Sequence, residues 1–157
     1  MYELYGHTAD LGMRVVADSL EQLLLDAADG FRAMVLPDSS GLAGDESIEV
    51  AVPASTERLD DLLFDWLSEL LLLFETEHFL AQSIELHIDG WPSHRTSQGS
   101  RPDTDAAASL TLRATLRGQR IDPDQWRLEH EVKAVTYHQL ELCHRDGQWQ
   151  GNVIVDI

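Results

Sequence analysis

Residues 130–157, "HEVKAVTYHQLELCHRDGQWQGNVIVDI", decide what kind of fold this chain can adopt. Apolar and polar positions alternate on both sides of Asp146-Gly147, a dipeptide suited to the tight turn of a β-hairpin. The stretch therefore reads as two antiparallel strands, the second ending at Asp156-Ile157. Upstream, Leu110, Leu112, Ala114 and Leu116 alternate with Thr111, Arg113, Thr115 and Arg117, a half-buried strand. "SIELHI" (83–88), "SIEVAV" (47–52) and the apolar run 13–17 add three more. Between these strands lie two amphipathic helices.

The first helix spans "DSLEQLLLDAADGFRAMV", with Leu20, Leu23, Leu24, Ala27, Ala28, Phe31 and Met34 on one face. Ser19 and Gln22 have capping-box spacing, and Pro37 marks the far limit. The second runs from about Leu59 to Phe74, its apolar face including Leu62, Leu63, Trp66, Leu67, Leu70 and Leu71. Asp60, Asp61, Asp65 and Glu69 fall off that face and read as an acidic, solvated surface. Strand–helix–strand thus occurs twice, ahead of the run of strands. The expected fold is α+β: a mixed, mostly antiparallel sheet with the two main helices packed on one face. Residues 1–157 form one domain, and 89–107, rich in Gly, Pro, Ser and charge, read as a long exposed loop.

With 28 acidic residues against 11 basic ones, the formal net charge is −17. The imbalance lies in residues 1–90, where Arg14, Arg32 and Arg58 are the only arginine or lysine side chains. Such a field repels phosphate backbones, so strong direct nucleic-acid binding is disfavoured; it serves either solubility alone or the attraction of divalent cations or a basic protein partner. No stretch has the roughly 20 apolar residues of a membrane span, and "MYELYGHTAD" has no signal-peptide pattern. With a single cysteine, Cys143, the expectation is a cytoplasmic protein without an internal disulfide.

Catalytic signatures are missing from the sequence. There is no phosphate-binding glycine loop and no G-x-S-x-G elbow. Cys143 and His144 are strand neighbours, so their side chains point to opposite faces and make no dyad. The polar clusters sit near the two ends: "YGHTADLG" (5–12) offers His7, Thr8 and Asp10, and "VIVDI" offers Asp156 and the Ile157 carboxylate. Asp156 reads either as a solvated strand end or, if the first and last strands are neighbours, as a carboxylate that converges with Asp10 and the terminal carboxylate. Three hard oxygen donors suit Ca²⁺ or Mg²⁺ better than zinc or copper. Lys133, the only lysine, stands in "EVKAVTYH" either as a solvent-facing strand residue or as an ammonium for a partner's carboxylate or phosphate.

"HTADLG" near the start, "EVKAVTYHQLEL" late and "VIVDI" at the end together resemble the archease family, and both helices match in place and character. The resemblance covers almost the whole chain except 89–107. It implies an α+β domain of strand–helix–strand–strand units with no catalytic activity of its own. Archeases assist the RtcB-type RNA-splicing ligase, which joins tRNA halves, by promoting GTP-dependent guanylylation and repeated turnover. In the family a divalent cation, often calcium, is held by residues that map onto Asp10, Asp156 and Ile157, and the late-strand lysine maps onto Lys133. His7 and His138 are the remaining candidates near these motifs. The competing readings are a stand-alone divalent-metal-dependent hydrolase and a general modulator of nucleic-acid-processing enzymes.

Overall fold

A computed structural model describes residues 1–7, 9–91 and 109–157. The elements follow the order β1 (Tyr2–His7), β2 (Asp10–Ala17), α1 (Leu20–Val35), β3 (Glu46–Ser55), α2 (Leu59–Glu77), β4 (Phe79–Asp89), β5 (Ser109–Arg120), β6 (Ala134–Arg145) and β7 (Gln148–Asp156). The α+β class and both helices agree with the sequence reading. Of the expected exposed loop over 89–107, Asp89 instead ends β4, and residues 92–107 lie outside the described residues.

The strands divide between two sheets, where the sequence suggested one. One has the order β1-β2-β7-β6 and the other β3-β5-β4, with every pairing antiparallel. The two strand–helix–strand units therefore part company. β2 and β3 fall in different sheets, while β3 and β4 share a sheet but are separated by β5. Alternation reports which face of a strand is buried, not which sheet the strand joins. Each helix touches strands of both sheets, so the apolar faces of the helices form a core common to the two.

Local chemistry accounts for the helix boundaries. Ser19 caps α1, its Oγ accepting the Gln22 backbone N–H at 3.1 Å. The reciprocal half of the capping box is not made, because Gln22 Nε2 donates to Asp26 at 2.8 Å instead. α2 ends at His78, whose left-handed backbone (φ 53°) lets its N–H meet the Leu73 and Phe74 carbonyls. The fully buried Trp66 ties the helices together by donating its indole N–H to the Leu24 carbonyl at 2.9 Å. A buried ring of this size contributes the most when its N–H is satisfied, as here.

The Asp146-Gly147 hairpin forms as the sequence requires, with φ 54° and 78° at its two turn residues. β1 was not anticipated. Its Tyr2 and Leu4 face the core while Glu3 is exposed, but six residues beside a polar turn carry a weak pattern.

Candidate functional site

β2 lies between β1 and β7, and its register sets the site. His7, the last residue of β1, stands opposite Asp10, and Asp10 stands opposite Asp156. Along β2, Leu11, Met13, Val15 and Ala17 are buried, so the intervening Asp10, Gly12 and Arg14 belong to the outer face. The same parity places Asp156 and Asn152 of β7 on that face, opposite the buried Val153 and Val155. Directly opposed residues on one face hold their Cβ atoms about 5 Å apart. The two ends of the chain therefore meet where the sequence reading needed them to.

Lys133 stands one residue short of β6 rather than inside a strand. It is exposed, and its backbone N–H donates to the Asp156 carbonyl at 2.8 Å, extending the ladder in which Ala134 opposes Asp156. Ile157 is half-buried against the core. Asp10, Asp156, Ile157 and Lys133 thus gather at one end of one sheet. His138 is exposed farther along β6, and Thr8 lies outside the described residues.

The neighbouring rows of this face are crossed by a chain of hydrogen bonds that the sequence did not disclose. Tyr5 opposes Gly12, and a Cβ on Gly12 would lie 2.1 Å from Tyr5 Cζ, so only glycine lets the ring lie across β2. Tyr5 donates its hydroxyl proton to Asn152 Oδ1 at 2.8 Å. Asn152 Nδ2 donates in turn to the Gln139 carbonyl at 2.8 Å. The Arg14 guanidinium sits 5.5 Å from the centroid of the same tyrosine ring.

Gln139 belongs to a pronounced bulge. Thr136 opposes Ile154 and Glu141 opposes Asn152, so Tyr137, His138, Gln139 and Leu140 together face Val153 alone. Gln139 takes a left-handed backbone (φ 54°), a conformation glycine or asparagine would adopt at lower cost. Around it, Thr136 Oγ1 donates to the Ile154 carbonyl at 2.8 Å, and Asp60 of α2 accepts the Leu142 backbone N–H at 2.6 Å. "TYHQLE" carries no glycine to betray the insertion, which is why alternation alone read straight through it.

Chemically, two carboxylates set opposite each other repel unless a cation lies between them. No arginine or lysine of the described residues forms an ion pair with either. The donors are hard oxygens, and the remaining positions of an ion would be filled by main-chain oxygen or water. That suits Ca²⁺ or Mg²⁺. Among the described residues, no three His, Cys, Asp or Glu side chains gather as a metal cluster. At Cys143, burial and then the nearby Glu141 carboxylate push the thiol pKa up, which disfavours the thiolate. His144 instead packs edge-on to Trp149, with ring centroids 5.2 Å apart.

Fold and site together define a small α+β domain whose distinctive feature is a carboxylate pair assembled by β2 and β7 on an uncovered sheet face. The sequence profile of the Archease protein family matches residues 2–157, and the chain belongs to this family. It is 31% identical to Protein archease of Methanosarcina mazei, covering 99% of this chain and 95% of that one. It is 30% identical to Protein archease of Pyrococcus abyssi, covering 99% and 98%. Among solved structures, protein 1598 of Methanobacterium thermoautotrophicum superposes with a TM-score of 0.74 at 28% identity, covering 99% of this chain and 98% of that one. An archease of Thermotoga maritima, described as a possible chaperone, shares the fold with a TM-score of 0.55 at 20% identity, covering 100% and 98%. Among the described residues, no helix is long and apolar enough to cross a membrane.

Proposed function

We propose that this archease-family protein activates an RtcB-type RNA-splicing ligase, promoting its guanylylation by GTP and its multiple turnover through a divalent cation held by Asp10 and Asp156. The observation that carries the reading is the register Asp10↔Asp156, which sets two carboxylates side by side on an exposed face. Ile157 would add a main-chain oxygen. A divalent ion supplies charge neutralisation for phosphates and a template that lines them up with a nucleophile. The chain's own contribution is position. The Lys133 backbone bond fixes the strand end that carries Asp156, and the Lys133 ammonium, exposed beside it, anchors an acidic group of the partner. The formal charge of −17 favours approach to a basic RNA-holding cleft and disfavours RNA itself.

The test is multiple-turnover ligation and ligase–GMP formation with GTP and divalent metal, with and without this protein. Asp10→Ala or Asp156→Ala should abolish stimulation while circular dichroism shows an unchanged fold. Lys133→Ala should reduce stimulation by less if the ammonium only anchors docking. Full stimulation by a folded Asp10→Ala, Asp156→Ala variant refutes the reading. Hydrolysis of a phosphate ester by the purified protein alone would move it to the metal-dependent hydrolase class.

A further inference from the structure

The bulge of β6 displays Tyr137, 61% exposed, in a parallel stack on Phe64 of α2, with centroids 4.1 Å apart and planes 12° from coplanar. An exposed tyrosine is ordinary. One held rigid from beneath by a second ring, on a strand insertion pinned by several hydrogen bonds, is an arranged feature. Its surroundings are acidic. On α2, Asp60 and Asp61 lie one turn before Phe64, and Asp65 lies one turn after Asp61. Asp60 is used by the Leu142 N–H and Asp61 pairs with Arg58 at 2.6 Å. Asp65 has no cationic partner among the described residues, and its pKa is raised by partial burial and then by the Asp61 charge.

An exposed aromatic face beside the carboxylates of a helix is chemistry that accepts a guanidinium or ammonium. The ring quadrupole attracts the cation, and the carboxylates complete the charge balance. The stack on Phe64 leaves one face of Tyr137 for the incoming group and removes the entropy cost of fixing it. The location matters as well. Tyr137 is three residues from Ala134, which opposes Asp156; its ring lies on the α2 side of β6, the edge strand of its sheet, whereas the carboxylate pair lies on the outer face. A partner that wraps around the β6 edge reaches both.

We propose that the Tyr137–Phe64 stack with Asp65 is a receptor for an arginine or lysine side chain of the partner protein, setting the register in which the Asp10–Asp156 end is presented. This rests on the proposed docking to the ligase and names the contact that docking would use. The acidic side of α2 selects a basic protein segment over a nucleic-acid strand, which would stack on the ring but meet like charge.

The experiment measures binding of the purified ligase to the wild type, Tyr137→Leu, Asp65→Asn and Asp10→Ala,Asp156→Ala variants. In parallel, amide NMR follows titration with a short arginine-containing peptide, its citrulline counterpart and a single-stranded oligonucleotide. The account expects Tyr137→Leu to weaken ligase binding about tenfold and Asp65→Asn by a few-fold. The carboxylate-pair variant should still bind. The arginine peptide should shift resonances around Tyr137 and Phe64, and the citrulline peptide should not. Equal ligase binding by wild type and both receptor variants overturns this inference while leaving the proposed function standing. If the wild type does not bind ligase at all, the proposed function fails, and the peptide decides the receptor. Saturable arginine-specific shifts at Tyr137 support it. Their absence, or equal shifts with citrulline or the oligonucleotide, overturns it. Asp65→Asn is nearly isosteric, so a loss with that variant cannot be attributed to misfolding.

Discussion

The two sheets use the same alternating pattern and dispose of charge in opposite ways. On the β3-β5-β4 sheet, exposed carboxylates meet arginines: Arg113 pairs with Asp89 at 2.6 Å, and Arg120 reaches both Glu46 and Glu77. On the β1-β2-β7-β6 sheet, Asp10 and Asp156 oppose each other with no arginine or lysine of the described residues paired to them. The first sheet pairs the charges at its ends and is nearly regular, with one register shift between Ala81 and Ser83. The second carries a four-residue bulge and an unneutralised pair. An unneutralised carboxylate pair on one sheet is what the proposed cation site requires, and the other sheet has no counterpart of it among the described ion pairs.

Substitutions can break or sharpen this contrast, beginning with the close approaches. A Cβ on Gly118 of β5 would lie 1.9 Å from the Leu80 carbonyl oxygen, which is backbone and cannot step aside. Gly118→Ala should cost at least the ~1–3 kcal/mol typical of overpacking, read by urea unfolding. Gly12→Ala on the other sheet meets only the Tyr5 ring, the far end of a side chain. It should cost about 1 kcal/mol while breaking the Tyr5–Asn152 bond, seen as faster amide exchange in β6. Equal costs would erase the distinction between a tight structural sheet and an adjustable one.

The next effect is at the edge of the binding sheet. Asp60 caps the Leu142 N–H across the gap between α2 and β6. Asp60→Ala removes a charge-assisted bond and should lower stability by about 1.5 kcal/mol, with exchange at Leu142 rising most. Unchanged exchange there would mean that the bulge is held without α2.

The smallest effect concerns Asp65, whose folded-state pKa is raised by partial burial and then by the Asp61 charge. A raised carboxylate pKa favours the folded state below the unfolded value, and that contribution is lost as pH rises through the folded value. Asp65→Asn should therefore stabilise the protein slightly more at neutral pH than near pH 4, as unfolding midpoints would show. A gain independent of pH would disconnect Asp65 from its charged neighbour.

How much the sequence disclosed follows from what alternation can encode. The strand cores, both helices and the Asp146-Gly147 hairpin were legible because period, caps and turn chemistry are local. The convergence of Asp10 with Asp156 was legible as a condition, that the end strands be neighbours, and the register meets it. The partition into two sheets was not, since nothing within a strand names its neighbour. Nor was the bulge, because Gln139 takes a left-handed backbone without the residue that usually signals it. Asn152 gave no warning either: its role depends on Tyr5 and Gln139, which meet it only in the folded chain.

The central claim is that the carboxylate pair on the binding sheet awaits a hard cation. The most direct measurement is calorimetric titration of Ca²⁺ and Mg²⁺ into the wild type and into an Asp10→Asn,Asp156→Asn variant, with Zn²⁺ alongside. The account predicts saturable binding of modest affinity for Ca²⁺ or Mg²⁺ in the wild type and loss of that heat in the folded variant. Tight Zn²⁺ binding without Ca²⁺ or Mg²⁺ binding, or equal Ca²⁺ heats in both proteins, would contradict it.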